Sequence, residues 1–283
     1  MLRLDPLNRH AVTSPASRIA VIASSMAIQN HIRKLLSDGK TVSGMLLFTG
    51  SPVVVEMMAA AGLDFVIIDM EHSALDLDRA GHLIRAADAA GITPFVRVPE
   101  VDAPLIKKLL NLGAAGIVLP HANRDNCAAL LKAMHFAPQG ERGACQITRA
   151  AGYVRGGWDA YAERANREVM AIPLLEESAS IADFEALAAM PGLDVFFVGP
   201  TDLSISLGVP GATFDDPKMS AALDKVVATT RRHGKYAMTL IGNNLDVEYG
   251  KRIARRGVQI IVLGTDGDLF VDAIKRMAGV KNP

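Results

Sequence analysis

The chain has 283 residues, half of them hydrophobic, and thirty basic side chains balance thirty acidic ones. This length and apolar content suffice for a large core, and they fit either two ordinary domains or one α/β barrel. No basic stripe and no apolar run near the roughly 20 residues of a membrane span are present, so neither nucleic acid nor a membrane is expected as a partner.

The first 33 residues are predicted to be a flexible extension, and residues 34–283 a single catalytic domain. The first 25 residues hold three arginines against one acid and end in a short apolar run followed at once by two serines. Such a segment can also be a targeting peptide or the product of an early start codon. Residues 29–37 predict a short amphipathic helix that closes the bottom of the fold. Cys127 and Cys145 show no metal-binding or redox spacing, which favours a reducing cytoplasm.

Strand-like and helix-like patterns alternate through the rest of the chain. Short apolar runs predict buried strands, and longer segments with helical spacing, several of them followed by glycine, predict helices. The predicted strands are 43–48, 65–68, 94–98, 116–119, 169–175, 195–198, 236–241 and 259–263. The predicted helices are 52–61, 75–90, 103–112, 124–136, 181–189, 218–233, 245–256 and 269–277.

Eight strands that are each followed by a helix predict a closed (β/α)8 TIM barrel. A doubly wound open sheet is the alternative, but that fold usually has a glycine-rich phosphate loop after its first strand, and residues 48–52 are not one. Residues 137–167 form a long irregular segment, and such segments are usually functional or contact partners. We predict that this segment covers the mouth of the barrel after the fourth strand.

Polar residues follow seven consecutive predicted strands. They are Asp69, Glu71 and His72 after the second strand, Arg97 on the third, His121 after the fourth, Glu176 and Glu177 after the fifth, Gly199, Pro200, Thr201 and Asp202 after the sixth, Asn243 after the seventh and Asp266 after the eighth. In a (β/α)8 barrel all these positions lie on the face where active sites are built. One such residue is more often a helix cap, but the succession predicts a catalytic site.

The residue types indicate separate roles, each with a structural alternative. Glu176 and Asp202 follow adjacent strands, and their hard oxygens suit Mg²⁺ or Mn²⁺, although helix capping is also open to them. Arg97 has the fork that binds a carboxylate or enolate oxygen, or else it pairs with a barrel carboxylate. His72, oriented by Asp69, is suited to proton transfer near neutral pH, or it is a loop histidine without a role.

No lysine follows a predicted strand at its carboxyl end. A Schiff-base aldolase requires a lysine in the barrel mouth. If the protein is an aldolase, activation of its substrate's carbonyl group is therefore expected to come from a metal ion.

Four motifs together resemble the HpcH/HpaI family of metal-dependent pyruvate aldolases: IDMEHS (68–73), VRVP (96–99), LLEES (174–178) and VGPTDLS (198–204). The resemblance runs from about residue 34 to the end of the chain. It implies a TIM barrel of the phosphoenolpyruvate/pyruvate-domain type. It also implies a homo-oligomer, a trimer or more commonly a hexamer, in which the last helix is exchanged between subunits.

The resemblance also implies roles for the matching residues. Mg²⁺, Mn²⁺ or Co²⁺ is expected on Glu176 and Asp202, and the pyruvate end of the substrate on Arg97. His72, paired with Asp69, is expected to do the acid–base work.

The backbone around Gly199 and Pro200, together with Thr201, is expected to line the site of the substrate carboxylate. Two positions depart from the family pattern. Leu174 stands where members often have glutamine, and Asn111 stands where many have an aspartate that reaches a neighbouring subunit's histidine. These departures bear on the substrate and on the tuning of His72.

The implied reaction is reversible cleavage of a 4-hydroxy-2-oxo acid to pyruvate and an aldehyde. Relatives of this kind, such as 4-hydroxy-2-oxoheptanedioate and 2-keto-3-deoxy sugar acid aldolases, include enzymes of aromatic compound catabolism. One alternative is an acyl-CoA lyase of the malyl- or citramalyl-CoA type, although no clear nucleotide groove is visible in the sequence. The other is a non-catalytic metabolite-binding barrel, which has no need of a proton-transfer pair.

Overall fold

A computed structural model describes residues 30–153, 156–242 and 246–279. Within these ranges, eight parallel strands form a closed barrel in sequence order, and β8 pairs with β1 to complete it. The strands are β1 Val42–Leu47, β2 Phe65–Asp69, β3 Thr93–Arg97, β4 Gly116–Leu119, β5 Met170–Leu175, β6 Val195–Val198, β7 Tyr236–Leu240 and β8 Ile260–Thr265. The predicted TIM barrel is confirmed.

Helices follow the strands and surround the barrel. In the described part of the chain they are α1 His31–Ser37, α2 Pro52–Ala60, α3 Leu77–Ala90, α4 Ala103–Leu112, α5 Arg124–Met134, α6 Trp158–Glu168, α7 Ser178–Ala182, α8 Phe184–Ala188, α9 Pro200–Ser206, α10 Pro217–Arg232, α11 Val247–Arg255 and α12 Asp266–Ala278. None of these helices is long and apolar enough to cross a membrane.

Local sequence signals explain where helix α3 begins and ends. The Asp76 side chain caps the helix by accepting a hydrogen bond from the backbone N–H of Arg79 at 2.8 Å. Gly91 ends it in the left-handed conformation, with φ of 76°, which glycine adopts without a steric penalty. The helix therefore starts two residues later than the apolar spacing alone predicts.

Helix α1 closes the bottom of the barrel, as predicted. Its apolar side chains Ile32 and Leu36 are buried among the residues that fill the barrel interior. Arg33 donates hydrogen bonds to the carbonyl oxygens of Glu168 and Val169, just before β5. The predicted boundary at residue 33 stays a prediction: it falls inside this helix, and most of the extension lies outside the described residues.

The long segment after α5 does not cover the barrel mouth, so that prediction is wrong for its described part. Arg149 contacts Asp88 and the carbonyl oxygen of Leu112, while the Ala150 N–H donates to the carbonyl of Asn111 at 3.0 Å. These partners lie in the last turns of α3 and α4. Helices run antiparallel to the strands, so the last turns lie at the end away from the mouth. The segment is also less irregular than predicted, because α6 begins within it at Trp158.

Helix α12 leaves much of its apolar surface exposed. Its solvent-exposed apolar side chains are Leu269, Phe270, Val271, Ile274 and Met277. Its first residue, Asp266, is buried, and the carboxylate accepts hydrogen bonds from the backbone N–H groups of Phe48 and Thr49 at the end of β1. The helix is thus fixed to the barrel at its first turn, while its apolar face finds no cover within the described residues.

Candidate active site

A forked ion pair lies at the mouth of the barrel, at the ends of β2 and β3. Asp69 and Arg97 occupy paired positions on these neighbouring strands. Arg97 Nε lies 3.1 Å from Asp69 Oδ1, and Nη2 lies 2.5 Å from Oδ2. The Asp69 carboxylate is fully buried and the Arg97 side chain is 10% exposed. The pair therefore fixes the guanidinium plane at the mouth.

Asp69 also organises the loop that follows β2. Its Oδ1 accepts hydrogen bonds from the backbone N–H groups of Glu71, at 2.9 Å, and His72, at 3.3 Å. These bonds and the Arg97 fork occupy the carboxylate. The expected pairing of Asp69 with the His72 ring is therefore absent.

The His72 ring instead projects from the loop towards solvent. Its side chain is 59% exposed, and its Nε2 lies 3.6 Å from Glu71 Oε2. Asp69 thus orients His72 through the backbone rather than through the imidazole. The reason is the turn: a carboxylate that accepts N–H groups two and three residues ahead leaves those side chains pointing away from it.

Glu71 lies in the site, although the sequence analysis gave it no role. Its Oε2 is buried and lies 3.1 Å from Arg97 Nη1, yet without the alignment that a hydrogen bond needs. Burial raises the pKa of Glu71, and the nearby Arg97 charge opposes that rise. The signal that pointed to this residue was its position directly after a buried strand.

Glu176 follows β5 and is buried, with its Oε1 accepting the backbone N–H of His121 at 2.7 Å. Burial raises the pKa of Glu176, and the charges of Glu71 and Asp202 act in the same direction. His121, a second residue without a predicted role, lies in the left-handed region with φ of 51°. This uncommon conformation aims its N–H at Glu176 and places its Nδ1 3.2 Å from Glu177 Oε1.

The loop after β6 approaches Glu176 closely. A Cβ atom at Gly199 would lie 3.2 Å from Glu176 Cβ and 3.0 Å from Leu174 Cδ1, so only glycine fits without displacing them. Gly199 precedes helix α9, in which Pro200 is the first residue and Asp202 lies in the first turn. Asp202 is exposed and accepts no hydrogen bond from the described residues, so it does not serve as a side-chain cap.

The structure places most of the predicted site residues at one end of the barrel. These residues are Asp69, His72, Arg97, Glu176, Gly199, Pro200, Thr201 and Asp202. Asn243 lies outside the described residues. Asp266 is at the same end of the barrel, but its carboxylate is occupied by the Phe48 and Thr49 N–H groups.

The donor set at the mouth suits a hard divalent cation. No three side chains of His, Cys, Asp or Glu in the described ranges are already gathered as a metal-binding group. Glu176 is nevertheless a buried carboxyl group whose neighbours Glu71 and Asp202 are also acidic, and each of these neighbours raises its pKa. A cation between Glu176 and Asp202 would relieve this repulsion, and oxygen donors are those that Mg²⁺ and Mn²⁺ prefer.

The two departures from the family pattern have different surroundings. Leu174 is buried beneath Gly199 and makes the floor of the site apolar at this point. Asn111 lies at the last turn of α4, where its Oδ1 accepts a hydrogen bond from Arg142 at 2.9 Å. Leu174 is therefore placed to affect the site of its own subunit, whereas Asn111 lies at the end of the barrel away from the mouth.

Comparison with known proteins now assigns the family. Residues 43–273 match the family described as HpcH/HpaI aldolase/citrate lyase. The protein belongs to this family. A hydroxypyruvate/pyruvate aldolase from Paraburkholderia phytofirmans is 33% identical to this HpcH/HpaI protein over 244 residues, which cover 84% of the chain and 92% of the relative. The resemblance seen in the four sequence motifs is confirmed.

Solved structures agree with this assignment. The HpcH/HpaI aldolase from Desulfitobacterium hafniense DCB-2 has a TM-score of 0.82 at 28% identity, covering 89% of this chain and 97% of that one. The citrate synthase SbnG has a TM-score of 0.77 at 32% identity, covering 88% and 97%. The HpcH/HpaI protein is an enzyme, a carbon–carbon lyase related to aldolases that act on pyruvate and other 2-oxo acids.

The Arg97 fork generates a first prediction. Arg97→Lys keeps the positive charge but removes the planar pair of donors that Asp69 holds. We expect pyruvate to bind roughly 10- to 100-fold more weakly, the cost of one or two charge-assisted hydrogen bonds. Isothermal titration of pyruvate measures this, with the exposed Arg85→Lys as the matched control. Unchanged pyruvate affinity would assign Arg97 a structural role alone.

Proposed function

We propose that the protein is a divalent-metal-dependent aldolase that reversibly cleaves a 4-hydroxy-2-oxo acid to pyruvate and an aldehyde. The observation that carries this proposal is that the buried, forked Arg97 lies at the same barrel mouth as two acidic groups, the partly buried Glu71 and the buried Glu176. Such a site offers a cation for the anionic substrate and anions for a metal. The family and its 2-oxo acid aldolases support the same reaction class.

Arg97 has donors to spare for the substrate. A guanidinium carries five N–H groups, and Asp69 accepts from Nε and from one position on Nη2. Donors on Nη1 and Nη2 therefore remain for the oxygen atoms of the pyruvate end. Asp69 keeps the guanidinium plane fixed, so the Arg97 side chain loses little conformational entropy when the substrate binds.

The loop after β6 supplies backbone donors for the substrate carboxylate. The Gly199 N–H already donates to the carbonyl oxygen of Leu175 at 3.1 Å, and Pro200 has no N–H. The backbone amides of Thr201 and Asp202, in the first turn of α9, have no partner in earlier turns of the helix. These two amides are the donors that we assign to the carboxylate.

Glu176 and Asp202 would hold the metal ion, which we expect to be Mg²⁺, Mn²⁺ or Co²⁺. When bound, such an ion supplies Lewis-acid chemistry, polarising the 2-oxo group and stabilising the negative charge that develops on it. Glu71 lies beside these carboxylates and adds to the negative field at the site.

His72 is the residue that we propose moves the proton. Its exposed ring lies on the loop that Asp69 fixes, at the rim of the mouth, and we assign it to a hydroxyl group of the bound substrate. In the cleavage direction it would accept the proton of the 4-hydroxyl group as the carbon–carbon bond breaks. The aldehyde is released, and the enolate of pyruvate takes up one proton, which balances the proton that His72 accepted.

The metal pair gives the second prediction. Removing one charged ligand, in Glu176→Gln or Asp202→Asn, should weaken Mn²⁺ binding by more than about 100-fold. Loss of a residue that only hydrogen-bonds to a metal ligand weakens metal binding by at most about that factor. Calorimetric titration with Mn²⁺ measures this. The exposed neighbour Glu177→Gln is the matched control and should bind Mn²⁺ normally.

A chelator should also abolish cleavage by the wild-type enzyme, and Mg²⁺, Mn²⁺ or Co²⁺ should restore it. Cleavage that persists in protein shown to be metal-free by elemental analysis would overturn the metal mechanism.

The third prediction concerns His72. His72→Ala should lower the turnover number by about 10²–10⁴-fold, the usual contribution of a general acid or base. Mn²⁺ binding should stay intact, because the ring is not assigned to the metal. His82→Ala removes a similarly exposed imidazole from helix α3 and should behave as wild type. Near-normal turnover in His72→Ala would remove this residue from the mechanism.

We further propose that the protein is a homo-oligomer, a trimer or hexamer, in which α12 packs on another subunit. The supporting observation is the exposed apolar face of this helix, with Phe270 66% and Met277 75% exposed. Apolar side chains at helical spacing are usually buried against a partner surface.

We also propose that the protein is located in the reducing cytoplasm. Its two cysteines are free rather than joined in a disulfide, which supports this location.

The fourth prediction tests the assembly. Phe270→Glu places a charge on the apolar face of α12 and should lower the mass measured by sedimentation to that of smaller assemblies. Lys275→Glu changes the charge of the same exposed helix without touching an apolar side chain, and it should leave the mass unchanged. A wild-type protein that is monomeric at micromolar concentration would contradict the assembly.

A further inference from the structure

A cavity of about 230 Å³ lies between the segment that follows β6 and the end of β7. Its walls include Thr201 and Ser204 of α9, Ala212 and Phe214 of the following loop, Leu240 of β7 and Tyr249 of α11. No charged side chain is among the described residues that line it. The mechanism above makes no use of this space.

The cavity offers hydroxyl groups and apolar carbon. The Tyr249 oxygen accepts the backbone N–H of Phe214 at 3.1 Å, which leaves its own O–H free to donate. Ser204 Oγ is occupied, because it donates to the Thr201 carbonyl and accepts the Gly211 N–H. Phe214 is 2% exposed and Leu240 packs against the barrel interior, so the remaining wall is mainly hydrocarbon.

The position of the cavity connects it with the proposed reaction. Thr201, in its wall, also supplies one of the amides that we assign to the substrate carboxylate. On the other side of the mouth lie Arg97, Glu71 and Glu176. The charged groups of the mouth therefore lie after β2, β3 and β5 and at Asp202 of α9, whereas the described residues that line the cavity beside β6 and β7 are uncharged.

We propose that this cavity is the subsite for an uncharged tail on the acceptor aldehyde; the proposal rests on the aldolase function proposed above. A water molecule occupies about 30 Å³ in the liquid, so a space of about 230 Å³ matches a tail of roughly seven or eight heavy atoms. A carboxylate tail would lose its hydration there without a counter-cation, which is unfavourable. A hydrocarbon tail, with or without a hydroxyl group for Tyr249, fits the lining.

The wild-type enzyme provides the first test. With Mn²⁺ present, exchange of the pyruvate methyl protons in D₂O, followed by NMR, reports the donor half of the reaction without any aldehyde. Addition of pyruvate to butanal is then compared with addition to 4-oxobutanoate, which has the same carbon chain with a terminal carboxylate. We expect kcat/KM to be at least tenfold higher for butanal. A preference for 4-oxobutanoate, or equal values, overturns the subsite.

A substitution in the cavity provides the second test. Ala212→Leu adds three carbons to the wall and should lower the ratio of kcat/KM for hexanal to that for ethanal at least tenfold, since small changes of volume in an apolar pocket have effects of that order. Ala189→Leu makes the same change at an exposed position and should leave the ratio unaltered. An unaltered ratio in Ala212→Leu overturns the proposal.

The two proposals fail in different ways. If wild-type protein shows no methyl-proton exchange, the aldolase function fails, and the subsite fails with it. If exchange occurs but the acceptor preferences differ from those expected, the aldolase stands and the subsite alone is overturned. Should Ala212→Leu not fold, as shown by the loss of pyruvate exchange, the wild-type comparison of the two aldehydes decides the question.

Discussion

The buried pair of Asp69 and Arg97 is the interaction on which the mouth of this barrel depends. Taking two charges out of water is costly, and it is offset here by the fork of two hydrogen bonds and by two backbone N–H groups on the carboxylate. Neither partner can be removed alone without leaving an uncompensated buried charge. The pair thus sets the plane of the guanidinium and the path of the loop that carries Glu71 and His72.

The negative charges beside this pair exceed the positive ones. Glu176 is buried and Glu71 is partly buried, and burial raises the pKa of each. Arg97 is already committed to Asp69, so it compensates Glu71 incompletely, and Glu176 receives a single backbone N–H from His121. An added cation would stabilise such a cluster of carboxylates, which favours a bound metal ion. Arg97, together with that ion, would attract an anionic substrate.

The barrel and the face that carries the site were predictable from sequence. Strand ends recur at regular intervals, and each apolar run is short enough to exclude a helix, so the positions of Asp69, Arg97 and Glu176 followed from topology alone. The helix that plugs the floor was also predictable, because Ile32 and Leu36 have helical spacing. The predicted bounds differ from the observed ones mainly where a cap such as Asp76 decides the first turn.

Details that depend on side-chain direction were not predictable. The sequence IDMEHS does not indicate whether Asp69 binds the backbone N–H of His72 or its imidazole ring, since the spacing is compatible with either contact. The left-handed conformation of His121, which aims its N–H at Glu176, was also not predictable, because the position holds neither glycine nor asparagine. The path of the segment after α5 is determined by distant partners such as Asp88 and Asn111, and local patterns do not record those contacts.

The helix that plugs the floor of the barrel has a consequence for the passage of ligands. Ile32 and Leu36 fill the lower end of the barrel, so ligands would reach the strand ends from the opposite side. In the reaction proposed above, Arg97, whose side chain is 10% exposed, would hold pyruvate, and the aldehyde would extend towards the exposed Thr201. In that reaction the aldehyde would leave before pyruvate during cleavage, and pyruvate would enter before the aldehyde during synthesis.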